Sequence, residues 1–303
     1  FMAFGKEEMY LRRIQAYRKA ANEEDQGMDE DIIEAAGERL KDVLRKTFNT
    51  DRKGRKFKVY ISSAGRPTCQ LIMARDGAKQ EPKGPDFRMK MLIGDITEIA
   101  LLAVMKGSGI NVTDTNKRVE LDADGIIMRG ELDLNLEDES VWDVKSASRW
   151  AYENKWSKGE EEFQAGDDFG YLEQLYAYAK ADNKEPGGWF VVNKETGAIL
   201  ARPALKDQVT KDKYHKSLVD TMFTVINPDT KFERCFEDEP ELFRKKETGN
   251  RSLGFTCSWC DFKHSCWPNL DYRRSIPSAA KNPKMVYYTH VAEDENSVSE
   301  SKS

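Results

Sequence analysis

Between residues 87 and 144 the hydrophobic rhythm of the chain changes from one that suits a buried helix to one that suits consecutive strands. Over residues 87–106, Met91, Leu92, Ile96, Ile99, Leu102 and Met105 recur at helical spacing, and Gly107 and Gly109 end the run. Alternation of apolar and polar residues then predicts strands over 119–121, 126–128, 132–136 and 141–144, with turns at Asp124-Gly125 and over 137–140. A helix is expected over 171–181, a hairpin from 188–192 and 198–201, and another helix over 207–225. The polar, acidic stretch 155–168 reads as a loop. Helix, strand run and helix in this order predict an α/β fold, a central mixed sheet flanked by helices.

Upstream, apolar residues such as Ile14, Ile32, Ile33, Leu40 and Leu44 predict two helices broken near residues 25–31. Residues 1–60 are expected as an N-terminal helical region, 61–275 as the core and 276–303 as a polar tail that ends in disorder. The longest strongly apolar stretch, about residues 99–105, is far short of the roughly 20 residues that cross a bilayer, so a cytoplasmic protein with no membrane partner is expected. There is no glycine-rich phosphate loop, so no ATP-driven motor is expected.

With 48 Lys and Arg against 53 Asp and Glu, the average surface should repel a polyanion. The charge is unevenly spread, however. Residues 41–58 carry a local charge of +6, interleaved with Phe48 and Phe57, and leave −11 on the remainder. That stretch is either a solvated helix end or a patch that grips a nucleic-acid strand.

The acids of the strand region are ordered. Asp133 follows Gly130, and Asp143 precedes Lys145 by two residues on the next predicted strand. Two carboxylates on adjacent strands can face one point, where they repel unless a cation lies between them; an all-oxygen site of this kind suits Mg²⁺ or Mn²⁺. Lys145 shares a strand face with Asp143. Glu98 follows Gly94 by one helical turn among apolar neighbours, and burying it there is costly without a partner. Gln174 and Tyr178 share a helix face.

Five cysteines, with no export signal expected, point to thiols held for a metal or cluster rather than to disulfides. Cys257-x₂-Cys260-x₅-Cys266 supplies three ligands, and the fourth is either His264, which would complete a Cys₃His zinc site, or the distant Cys69. Cys235 is left as a buried free thiol, and Trp259, Phe262 and Trp267 are candidates to shield the group.

The order Gly94/Glu98, Gly130/Asp133, Asp143/Lys145, Gln174/Tyr178 resembles that of the PD-(D/E)xK nuclease superfamily, in particular its RecB-like branch. Leu132 stands where the motif's name has proline. The resemblance covers about residues 69–266 and implies a restriction-endonuclease-like core with Glu98, Asp133, Asp143 and the Val144 carbonyl around Mg²⁺ or Mn²⁺, Lys145 as a catalytic residue, and Gln174 and Tyr178 on the substrate side. It also implies a 4Fe-4S cluster rather than Zn²⁺, held by Cys69, Cys257, Cys260 and Cys266, as in the CRISPR-associated RecB-like and AddB-type nucleases. The expected activity is DNA hydrolysis, chiefly exonucleolytic and on single-stranded ends, in recombination, repair or CRISPR-type adaptation. A helicase, recombinase or adaptation partner would supply those ends. By charge and location, Arg129, Arg149 and the 41–58 patch are expected to contact phosphates. The rival expectation is a non-catalytic iron-sulfur or zinc DNA-binding scaffold that keeps the fold and the cluster but does not cleave.

Overall fold

A computed structural model describes residues 5–23, 26–49 and 57–292. In chain order the helices are α1 (Lys6–Glu23), α2 (Glu30–Phe48), α3 (Thr68–Arg75), α4 (Phe87–Gly107), α5 (Arg149–Ala151), α6 (Glu160–Ala165), α7 (Tyr171–Ala181), α8 (Gln208–Ile226), α9 (Phe255–Ser258) and α10 (Lys263–Cys266). The strands are β1 (Val112–Ala123), β2 (Ile126–Leu136), β3 (Ser140–Ala147), β4 (Glu185–Asn193), β5 (Ile199–Pro203), β6 (Glu239–Phe243), β7 (Lys246–Ser252), β8 (Asp271–Arg274) and β9 (Met285–His290). They belong to two compact units, residues 1–66 with 83–224, and residues 67–82 with 225–303. These units do not follow boundaries at 60 and 275, because residues 67–82 group with the C-terminal part of the chain.

The first unit is mixed α/β. Its sheet has the order β1-β2-β3-β4-β5, antiparallel except for the parallel pair β3–β4. A parallel neighbour requires a crossover, and here the crossover is the segment from α5 to α7. The strands predicted at 126–128 and 132–136 are one continuous strand, since Gly130 pairs with Val119 without interrupting the ladder. Asp124 and Gly125 take positive φ (53° and 91°), the geometry of a tight primed hairpin turn.

The core shows what the helices contribute. Tyr10 and Ile14 of α1 lie with Leu102 and Met105 of α4, Trp142 of β3 and Phe190 of β4 in one buried cluster. The Tyr10 ring stands edge-on to Trp142 at 6.2 Å. Met91 and Ile96, expected on the buried face of α4, are exposed, whereas Leu92 and Ile99 are buried as expected, together with Val43 of α2.

The expected loop at 155–168 contains structure. A π-helical turn (Tyr152–Trp156) leads to α6, and Trp156 and Phe163 are buried against Trp189 of β4. The Arg202 guanidinium stacks 3.9 Å above the Phe163 ring, donates to the Lys158 carbonyl at 2.7 Å and pairs with Glu160 at 2.8 Å. The acids between the two aromatics hide this anchoring from any hydropathy pattern.

The second unit has a four-stranded sheet in the order β6-β7-β9-β8. Polar groups set much of it: Glu241 of β6 accepts from Asn250 of β7 at 2.8 Å and from the Tyr288 hydroxyl of β9 at 2.5 Å. Strand β9 and the fully buried Tyr288 correct the expectation of a purely polar tail after residue 276; the expected disorder at 293–303 lies outside the described residues. Residues 67–82 are stitched into the unit by Arg75, which donates to the carbonyls of Val225, Asn227 and Thr230 at 2.8–2.9 Å. Lys263, almost wholly buried, forms an ion pair with Glu81.

Candidate functional site

Strand β2 follows β1 along its length but pairs with β3 only at Leu134–Trp142, Asn135–Val141 and Leu136–Ser140. One step beyond that ladder the register places Asp133 opposite Asp143, where β2 leaves β3 and β3 continues beside β4. The separation frees the Val144 amide from ladder pairing, and the Asp133 Oδ2 accepts it at 2.7 Å. The sheet thus fixes one acid by the other's neighbour.

Lys145, two residues on, forms an ion pair with the Asp143 carboxylate. Asp143 is buried, and its Oδ2 is the oxygen that the ammonium contacts. Burial and the nearby Asp143 charge raise the Asp133 pKa well above the ordinary carboxylate value. Burial opposes charge on Lys145, but Asp143 and Asp133 outweigh it and raise its pKa. From α4, Glu98 accepts from Asn116 at 2.9 Å, and its pKa is raised by burial against the opposing pull of Asn116 and Arg39. Glu98 and Asp133 line one open groove of about 860 Å³.

Gln174 and Tyr178 of α7 line the same groove and are hydrogen-bonded to each other; burial pushes the Tyr178 hydroxyl up to about 12. The Tyr178 ring packs on Gly130, where an added Cβ would lie 2.5 Å from Tyr178 Cε1 and 3.1 Å from Ile61 Cβ. Gly130 therefore has a steric reason to lack a side chain.

The two arginines expected at phosphates differ in place. Arg129 lines the groove but is paired with Glu120 at 2.5 Å. Arg149, at the start of α5, pairs with Glu153 at 2.9 Å and is not among the residues lining that groove. From the 41–58 patch Lys46 reaches the groove; residues 50–56 lie outside the described residues. Sequence reasoning missed Arg39, Asn116, Arg118 and Glu131, which also line it. No local motif marks Arg39, Asn116 and Arg118, which come from α2 and β1, and Glu131 lies on β2 two residues before Asp133, outside the motif.

All five cysteines lie in the second unit as free thiols. Cys257 and Cys260 flank the end of α9, Cys266 ends α10 and Cys69 lies in α3. Burial pushes the Cys69 thiol up to about 12, with Cys235 and Cys260 adding to the effect. Burial pushes Cys257 up to about 11, with Cys266, Cys260 and Cys235 adding. Cys235 is exposed rather than buried: its sulfur accepts from the Cys69 amide at 3.2 Å and contacts the Thr68 hydroxyl at 3.3 Å, occupying the open donors at the start of α3. His264 faces Glu81 at 3.4 Å. Phe262 is buried, whereas Trp259 is largely exposed and Trp267 lies under the Arg234 guanidinium at 3.9 Å.

For Mg²⁺ or Mn²⁺ the donor chemistry fits: hard carboxylate oxygens, with the buried Asp143 Oδ2 held by the Lys145 ammonium. For iron–sulfur or zinc the thiol set fits in kind. In both places the fit is one of chemistry, since among the described residues no three His, Cys, Asp or Glu side chains converge closely enough to hold an ion.

Comparison with known proteins adds little. No known family matches the chain, and no curated protein matches it. Among solved structures, one titled "Crystal structure of SSO0001" is similar at 15% identity with a TM-score of 0.36, over 62% of this chain and 85% of that one. Among the described residues no helix is long and apolar enough to cross a membrane.

Proposed function

We propose that the chain is a metal-dependent DNA nuclease of the PD-(D/E)xK superfamily, RecB-like branch, acting as an exonuclease on single-stranded ends. The observation that carries the reading is the placement of Asp133 opposite Asp143 where β2 parts from β3, with Lys145 paired to Asp143. Glu98, Asp133, Asp143 and the Val144 carbonyl would hold Mg²⁺ or Mn²⁺, which when bound supplies an activated water and neutralises charge on the phosphate. The chain's own groups do the rest. Lys145, kept charged by its two aspartates, orients the attacking water by donating to it. Gln174 and Tyr178, fixed to each other beside Asp133, position the strand.

In the second unit, Cys69, Cys257, Cys260 and Cys266 would hold a structural 4Fe-4S cluster, with Zn²⁺ as the alternative occupant. Such a group would clamp α3 to the α9–α10 segment. A helicase, recombinase or CRISPR adaptation partner is proposed to supply unwound ends in recombination or repair.

A second reading is a non-catalytic DNA-binding scaffold, favoured by the lack of any three converging ligands among the described residues. The test is incubation of anaerobically purified protein with end-labelled single- and double-stranded DNA and Mn²⁺ or Mg²⁺, beside Lys145→Ala and Asp133→Ala. Degradation by the wild type alone supports the nuclease. Retained DNA binding with no degradation beyond that of the variants supports the scaffold.

A further inference from the structure

Three cations gather on one carboxylate at the wall of the groove. Arg39 Nη2 lies 4.0 Å, Lys46 Nζ 3.8 Å and Arg118 Nε 4.0 Å from the Glu131 side chain. Arg39 and Lys46 are two helical turns apart on α2 and so share a face, while Arg118 stands opposite Glu131 in the β1–β2 ladder. These are ion-pair distances, not hydrogen bonds. The Arg39 Nε is shielded from solvent and has no hydrogen-bond partner, and its Nη2 lies 3.9 Å from Glu98. Three cations thus share Glu131, Arg39 also lies near Glu98, and the Arg39 Nε is left without a hydrogen bond.

Glu131 is two residues before Asp133, hence on the same face of β2 and about 6.7 Å along it. An anion held at Glu131 would flank whatever is held at Asp133. Glu131 itself presents the charge and planar oxygens that an arginine fork prefers, and a phosphodiester presents the same chemistry.

We propose that Arg39, Lys46 and Arg118 form a subsite for a backbone phosphate of a nucleic-acid strand, with Glu131 as an internal stand-in that the phosphate displaces. Arg39 and Lys46 come to the subsite from α2 and Arg118 from β1. The subsite deepens the nuclease reading by naming where the strand is gripped, yet it needs no metal and can be tested without one.

The test is fluorescence anisotropy of a labelled single-stranded oligonucleotide in EDTA across a salt series. Glu131→Gln, which keeps the shape and frees the cations, is expected to bind about threefold more tightly. Arg39→Ala and Lys46→Ala are each expected to bind several-fold more weakly, with the logarithmic salt slope smaller by about one. The gain from Glu131→Gln should shrink in the Glu131→Gln/Arg39→Ala double variant. Thermal melts identify any variant that fails to fold, and Arg39→Gln, which removes the charge but keeps a polar side chain, then takes the place of Arg39→Ala with the same weakening and smaller slope expected. Unchanged or weaker binding by folded Glu131→Gln, or a wild-type salt slope in both folded cation variants, overturns the subsite. Cleavage with Mn²⁺ is scored separately: binding that follows these predictions without cleavage keeps the subsite and defeats the nuclease, and cleavage without them does the reverse.

Discussion

Asp133 and Asp143 stand across two strands of a five-stranded sheet, whereas the cysteines of the second unit stand on short helices and the turns around them. In the first place the backbone has already done the positioning: the ladder sets the two acids opposite each other, and the Val144 amide holds one of them. In the second, α9 and α10 span four residues each, and the sulfurs feel one another without converging. A side chain on a paired strand is placed by its neighbours before any ligand arrives. A side chain on a one-turn helix is placed in large part by what binds it.

If that contrast is right, removing the proposed thiol-bound iron-sulfur cluster or zinc is expected to have the largest effect. Hydrogen exchange across residues 225–292 should quicken sharply when iron or zinc is stripped from the isolated protein, because structural metal contributes on the order of 10 kcal/mol in small domains. Amides of β1 to β5 should be little changed. Equal protection of residues 225–292 with and without metal would mean that this unit is as preformed as the sheet.

Next in size is Asp133→Asn. It should leave the melting temperature of the metal-free protein unchanged or higher, since it removes a like charge from beside Asp143. The proposed DNA cleavage should fall about a thousandfold, corresponding to roughly 4 kcal/mol at 1.36 kcal/mol per decade. A clear drop in stability would show that the acid supports the strands rather than being held by them.

Gly130→Ala and Gly94→Ala test how tightly the scaffold is built around the site. A methyl on Gly130 meets the Tyr178 ring at 2.5 Å and should cost about 1–3 kcal/mol of stability in a denaturant titration. On Gly94 the nearest atom is Ser146 Oγ at 3.8 Å, so alanine there should be neutral or stabilising by about 0.5–1 kcal/mol. Equal costs at the two positions would remove the steric account of Gly130.

The smallest effect concerns the polar sheet of the second unit. Burial works against the Asp238 charge, but Arg251 and Thr289 outweigh it and hold the carboxyl below its usual 3.8. Its contribution is present above that value and is lost as pH falls through the depressed pKa. Asp238→Asn should therefore cost under about 1 kcal/mol at neutral pH and flatten the decline of melting temperature below pH 3.8. An unchanged acid limb would place the pH sensitivity elsewhere.

The same contrast explains what can be read from the residues. Asp133, Asp143 and Lys145 are close in sequence on neighbouring strands, so alternation alone suffices to put them on one site. Helices α4, α7 and α8 carry apolar residues at helical spacing and are legible for the same reason. The meeting of Arg39 and Lys46 with Glu131 is not, because it depends on the docking of α2 against α4 rather than on any local period. Strands β6 to β9 escape detection because their register rests on Glu241, Asn250 and Tyr288, a polar network with no alternating signature. At 155–168 the seven-residue interval between Trp156 and Phe163 is the signal, and the intervening acids mask it.

The grouping of residues 67–82 with the region after 224 bears on how the chain is made. On the ribosome, α3 emerges long before the carbonyls of Val225, Asn227 and Thr230 that Arg75 will grip. The sheet of the first unit can close during that interval, while α3 and its thiol wait as an unsatisfied bulge between α2 and α4. A nascent chain stalled near residue 224 should accordingly present Cys69 to alkylating reagents, and release of the full chain should hide it.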